Sequence, residues 1–129
     1  MRHDPLNDAM SIIKNAELAG KGFCTITPTS KLIGGVLKVM VEKDYIESFE
    51  LVEDNRSGLF NVKLKGNINN CGVIRPRFAV KRGSLEKFEA RFLPAQDFGV
   101  LILTTTRGVL SHGEARKQGV GGKLLAYVY

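Results

Sequence analysis

The sequence predicts an α+β fold built in two parts that meet near Asn67. Three observations point there. Segments 5–19 and 31–43 carry a helical apolar period and alternate with short, β-branched-rich runs. Two of those runs, Ile46 to Val52 and Leu59 to Leu64, are joined by Asp54-Asn55-Arg56-Ser57-Gly58, a cluster of turn formers that makes them an antiparallel hairpin. The Gly- and Asn-rich stretch Gly66-Asn67-Ile68-Asn69-Asn70-Cys71-Gly72 then reads as a linker, and the charge of the chain changes across it. The chain has 129 residues, enough for one domain or for two half-size units sharing a core.

The first helix is expected from Pro5 to Ala19. Asp4 can accept N–H bonds as N-cap, Pro5 suits the first helical position, and Gly20 suits the stop. Leu6, Met10, Ile13 and Leu18 follow helical spacing, only loosely at the Leu18 end, with Ala9 and Ala16 filling the same face. Gly22 to Thr27 alternates as a strand and stops at Pro28. A second helix is predicted from Lys31 to Lys43, capped by Thr29 or Ser30, with Leu32, Ile33, Val36, Leu37, Met40 and Val41 buried. Gly34-Gly35 lowers its propensity, so either a helix packs closely there or the segment is less helical than its pattern. Beyond the linker, Val73 to Val80 reads as a strand that Pro76 confines to an edge or breaks. Glu86 to Phe92 reads as a short helix, and Val100 to Thr104 and Leu124 to Tyr129 as strands. Between those strands, Ser111-His112-Gly113-Glu114 has the form of a capping box, and Gly119 ends the helix it opens.

Composition narrows the function classes. Hydrophobic residues are 43% and charged residues 25%, the balance of an ordinary globular protein and not of a disordered chain. The longest apolar run, Leu124 to Tyr129, has six residues, whereas a membrane span needs about 20. Met1-Arg2-His3-Asp4-Pro5 leads into no apolar signal region, and two cysteines make no disulfide framework, so a cytoplasmic location is expected. The net charge of +6 is unevenly placed. Residues 1–64 hold eight Lys/Arg and nine Asp/Glu; residues 65–129 hold eleven Lys/Arg against four Asp/Glu. A basic half and no basic tail imply that a polyanion meets a folded face of the second half.

No catalytic constellation stands out. Cys24, Cys71, His3 and His112 lack the close spacing of a structural metal site, and no local signature makes a Cys–His nucleophile pair of them. Gly119-Val120-Gly121-Gly122-Lys123 resembles a phosphate loop only superficially, because it joins a helix to a strand and Leu124 follows the lysine. Its glycines instead allow close backbone approach next to Lys123, or simply make a turn. Thr104-Thr105-Thr106-Arg107-Gly108 places hydroxyls and a cation at a strand end, where they can bond phosphates, 2′-hydroxyls and base edges; ordinary strand threonine is the plainer reading. Arg75-Pro76-Arg77-Phe78 with Lys81-Arg82 sets cations beside a ring, suited to tracking RNA or to blunting an edge strand.

The stretch Gly99-Val100-Leu101-Ile102-Leu103-Thr104-Thr105-Thr106-Arg107-Gly108-Val109-Leu110, with Ala115-Arg116, closely resembles the signature of the small-subunit ribosomal protein eight family. The ending Gly119 to Tyr129 resembles it too, and Asp4 to Met10 with Lys14-Asn15-Ala16 is similar to the family's first helix. Ser30-Lys31-Leu32-Ile33, Val36-Leu37 and Asp44-Tyr45-Ile46 resemble its second helix and exit, and Ile74 to Asp97 looks like the archaeal and eukaryotic type. The resemblance implies two α+β subdomains packed together, residues 1–66 and a basic, mostly β unit of residues 67–129, with antiparallel or mixed sheets and helices outside. It implies a structural, non-enzymatic protein that binds an irregular helix in the central domain of small-subunit rRNA during assembly, beside other small-subunit proteins. No cofactor, metal, membrane or small-molecule substrate is implied. The family's Ser/Thr-Thr-Ser/Thr loop contacts RNA, which carries that role onto Thr104, Thr105 and Thr106; Lys123 stands where the bacterial type commonly has Glu. With the residue-level reading, the expected RNA face is Thr104 to Arg107, Gly121, Gly122 and Lys123, then Arg75, Arg77 and Lys81, with Lys31 and Lys14 as phosphate contacts from the first half. Two rival readings are a free module repressing a messenger RNA and a small enzyme using Cys24 or Cys71.

Overall fold

Three of the four described α-helices start where a side-chain oxygen meets an unpaired backbone N–H. In the computed structural model, which describes residues 4–27, 29–53, 58–95 and 98–129, Asp4 Oδ1 accepts from Asn7 N–H at 3.2 Å and opens α1 (Pro5–Leu18). Ser30 Oγ, not Thr29, accepts from Ile33 N–H at 3.1 Å and opens α2 (Lys31–Glu42). Ser111 Oγ accepts from Glu114 N–H at 3.2 Å and opens α4 (His112–Gln118), which follows α3 (Leu85–Phe92). Only half of the capping box forms, because the Glu114 carboxylate accepts from Gln118 Nε2 instead. Gly119, at φ +66, closes α4 with a left-handed cap.

The strands form two antiparallel sheets. The first has the order β1 (Phe23–Ile26), β3 (Leu59–Leu64), β2 (Ile46–Val52). The predicted β2–β3 pairing is present, while its turn, residues 54–57, and Pro28 lie outside the described residues. The second runs β4 (Cys71–Val73), β8 (Gly122–Val128), β6 (Val100–Thr105), β7 (Gly108–Ser111), with β5 (Ala79–Val80) also pairing with β8. Pro76 breaks the expected 73–80 strand into β4 and β5, two short pieces along one edge of β8. The linker is shorter than its composition suggests, because Cys71 and Gly72 already pair with Val128 and Tyr127. The strand β7 was not foreseen; four residues, two of them apolar, carry no alternation to read.

The strand β6 explains how the halves join. Val100, Leu101, Ile102 and Leu103 are all buried, as expected of a run with both faces covered. Val100 and Ile102 pack with Leu125 and Val128 against Met10, Ile13, Ile33, Leu37 and Met40 of the first half. Leu101 and Leu103 face a second cluster with Ile74, Leu85, Leu93, Ala115 and Leu124. Gly35 lies tightly against the second half: a Cβ there would lie 2.8 Å from Val109 Cγ2. The close approach predicted for Gly34-Gly35 is therefore real, but it is made against a strand.

Two core assignments differ. Leu18 is 74% exposed because it stands roughly 140° around the helix from Ile13, off the Leu6–Met10–Ile13 stripe. In α2, Val39 is buried while Leu32 and Val41 are only half-buried, since α2 is covered by β2 on one side and β7 on another.

Candidate nucleic-acid interface

The turn between β6 and β7 is a short reversal in which Gly108, at φ +100, takes the left-handed conformation. Thr105 holds it. Its hydroxyl donates to the Gly108 carbonyl at 2.8 Å and accepts from Arg107 N–H at 3.0 Å. The hydroxyl thus spends its only proton inside the protein. Thr106 and Arg107 stand exposed at the tip, and neither side chain has a hydrogen-bond partner among the described residues.

Gly122 brings the second predicted segment to this turn. A Cβ there would meet the Thr104 carbonyl oxygen at 2.0 Å and Thr105 Cγ2 at 3.0 Å, so β8 and β6 meet where only glycine fits. The next residue, Lys123, pairs with Thr104 on one side and Ala79 on the other. Direct antiparallel partners point to the same side of a sheet, so Ala79, Lys123, Thr104 and Val109 form a row across one face. Lys81 follows β5 at the same end, exposed, one residue past the Val80–Gly122 pair. Lys31 joins this end from the first half. Gly35 sits on Val109, and the opposite end of α2 leads to Lys43, which lines a cleft with Val100 and Ser111. Lys31, one turn before Gly35 and about 6 Å further along the axis, is therefore carried toward the turn. Among the described residues no carboxylate pairs with Lys31, Lys81, Arg107 or Lys123.

The other predicted cations lie elsewhere. Arg75 Nη2 bonds Asp4 Oδ2 at 3.0 Å, at the start of α1. Burial alone would raise the Asp4 carboxyl; the Asn7 N–H and the Arg75 and Arg77 guanidiniums hold it below its ordinary value. Arg75 and Arg77 thus gather around Asp4, off the β8 edge, and Lys14 lies on α1 near Cys71, at the far end of β8. The cation over Phe78 is neither Arg75 nor Arg77 but Arg91, 4.9 Å from the ring centroid. Sequence distance hid that partner.

The cysteines are poor nucleophiles. Burial pushes the Cys24 thiol up to about 11 and the Cys71 thiol up to about 12, leaving both protonated at neutral pH. His112 is likewise buried and engaged. Its Nδ1 accepts from Leu101 N–H at 3.0 Å, and its Nε2 lies 3.7 Å from Glu89, which also pairs with Arg116. Among the described residues no three His, Cys, Asp or Glu side chains gather as metal ligands, and no helix is long and apolar enough to cross a membrane.

Residues 4–129 match the family described as Ribosomal protein S8. The chain belongs to the ribosomal protein S8 family. It is similar to the small ribosomal subunit protein uS8 of Thermoplasma acidophilum, 60% identical over 129 residues and 100% of both chains. The proteins of that description from Picrophilus torridus and Archaeoglobus fulgidus are 59% and 57% identical over the same 129 residues, again 100% of both chains. The resemblance read from the threonine cluster and the chain's ending is thereby confirmed, and these S8 relatives are archaeal, the type read from the middle segment.

Proposed function

We propose that this S8-family chain is a structural, non-enzymatic constituent of the small ribosomal subunit in the cytoplasm. In this reading it binds an irregular helix of the central domain of small-subunit rRNA, with other small-subunit proteins as neighbours. The observation that carries the reading is the approach of Gly122 to Thr104, which gathers Lys123, Thr104, Thr106 and Arg107 at one exposed end with no neutralising carboxylate among the described residues. Cations there meet phosphates, and free hydroxyls reach 2′-hydroxyls and base edges. The basic unit of residues 67–129 supplies this face; residues 1–66 pack against it and add Lys31. Arg75, held by Asp4, and Arg77 belong to the flank, outside this primary contact.

Binding of the full chain to a central-domain fragment of small-subunit rRNA, measured across salt, tests the reading. Lys123→Ala is expected to weaken cognate and mismatched RNA alike and to flatten the slope of log K against log salt by roughly one unit or less. Cells provide the complementary test. A chain that fails to co-sediment with small subunits at high salt, yet binds a message, would be a free regulator and not a subunit component.

A further inference from the structure

The opposite face of the second sheet carries a row of rings that the contact above leaves unused. Tyr127 and Tyr129 pack on the Leu101–Leu103 side of the sheet, while Thr104 and Lys123 lie on the Ile102 side. The Tyr127 and Tyr129 centroids are 6.2 Å apart with planes 21° from parallel, and Phe92 continues the row 6.3 Å from Tyr127 at 19°. Arg91 lies over two rings, 5.3 Å from the centroid of Phe92 and 4.9 Å from that of Phe78, so its guanidinium is fixed in place. Beside these rings is a shallow cleft of about 480 Å³, lined by Arg75 and Arg91 with Phe92, Tyr127, Tyr129 and Asn7. The Arg75 side chain is 59% exposed at its rim. None of the lining residues is acidic, and only Val73 among them is aliphatic. Asp4, outside the lining, holds Arg75 at 3.0 Å, so Arg91 is the lining cation without a carboxylate partner among the described residues.

Flat rings between fixed cations suit a flat, anionic ligand better than an aliphatic one. We propose that this cleft is a second RNA contact, receiving one unpaired nucleotide with its base against Tyr127 and Phe92 and its phosphate on Arg91, beside the Asp4-held Arg75. The inference rests on the RNA-binding reading and extends it to a different face. Lys123 and Tyr127 are four residues apart on one strand, about 13 Å, so RNA leaving the turn has to round only the β4–β5 edge to arrive.

The test uses the full chain with a short oligouridylate carrying 5-iodouridine, and maps photo-crosslinks by mass spectrometry. Crosslinks are expected at Tyr127, Tyr129 or Phe92. Arg91→Glu is expected to lower oligouridylate affinity about tenfold, while Lys87→Glu, the same charge change on an exposed residue outside the cleft, lowers it less than about twofold. Arg91 packs between two rings, so crosslinking of the unaltered chain decides the matter should Arg91→Glu not fold. Crosslinks confined to 104–107 and 121–123, or equal losses in both variants, would overturn the cleft and leave the primary contact standing. A cleft that binds no oligouridylate but is covered by a neighbouring protein in the assembled subunit would overturn it equally. Failure to bind both the oligouridylate and the central-domain fragment would remove the RNA-binding reading itself.

Discussion

A Cβ placed on Gly122 would lie 2.0 Å from the carbonyl oxygen of Thr104. Backbone cannot yield that distance cheaply, so Gly122→Ala is expected to force β8 from β6 and cost about 2–4 kcal/mol of stability. Denaturant unfolding should show a lower midpoint at unchanged slope. Gly113→Ala is the control: a Cβ there meets nothing within 4 Å, and stability should hold or rise by at most about 1 kcal/mol.

Thr105 and Thr106 should separate a turn brace from an RNA contact. Thr105→Val removes both the bond to Gly108 and the bond from Arg107 N–H, and is expected to cost about 1–2 kcal/mol in thermal or denaturant unfolding. Thr106→Val removes a hydroxyl with no partner among the described residues, so stability should not move, while cognate RNA affinity falls by about 1–3 kcal/mol. A threonine cluster read along the chain presents three equal hydroxyls; only the hairpin shows that the middle one is bonded back onto the turn's own backbone.

That contrast marks what the sequence could reveal. Caps and stops were legible at Asp4, Ser111 and Gly119, and at Ser30 as one of two neighbouring candidates, because they depend on residues within four positions. The backbone approach at Gly122 was legible in kind, as one of two readings of its glycines beside a plain turn, though its partner Thr104 was not. The pairing of Arg75 with Asp4, and of Arg91 with Phe78, joins positions whose proximity only the chain path decides. Leu18 misled because one leucine near a helix end continues the composition of a stripe without its angle.

Buried His112 and Glu89, with the exposed Arg116 paired to the carboxylate, predict a pH dependence. Burial pushes the His112 imidazole below its ordinary 6.5; Glu89 opposes this, while Arg116 and Lys43 add to it. The unfolded chain therefore binds the proton more readily. Stability is full above about pH 6.5 and is lost as pH falls toward the lowered folded value. Unfolding free energies at stepped pH should show this fall. His112→Asn, which keeps an acceptor for Leu101 N–H without titrating, should flatten it.

Neither thiol should react in the folded protein. With Cys24 raised to about 11 and Cys71 to about 12 behind packed side chains, alkylation at pH 8 is expected to wait for unfolding, which mass spectrometry with and without denaturant will show. Prompt labelling of either cysteine in the native chain would contradict their burial.

Those quiet thiols permit the most direct test of where RNA lies. Thr106→Cys puts a reactive thiol at the exposed tip of the turn, and Leu18→Cys puts one at the end of α1, beyond the Cys71 end of β8. Each is to carry a tethered iron–EDTA group while the chain is bound to the central-domain fragment of small-subunit rRNA, and the strand cuts are to be mapped. The turn as the RNA face predicts strong cuts on both strands of one irregular helix from position 106 and none in that helix from position 18. Cuts from position 18 with none from position 106 would place the RNA on the first half and contradict the account.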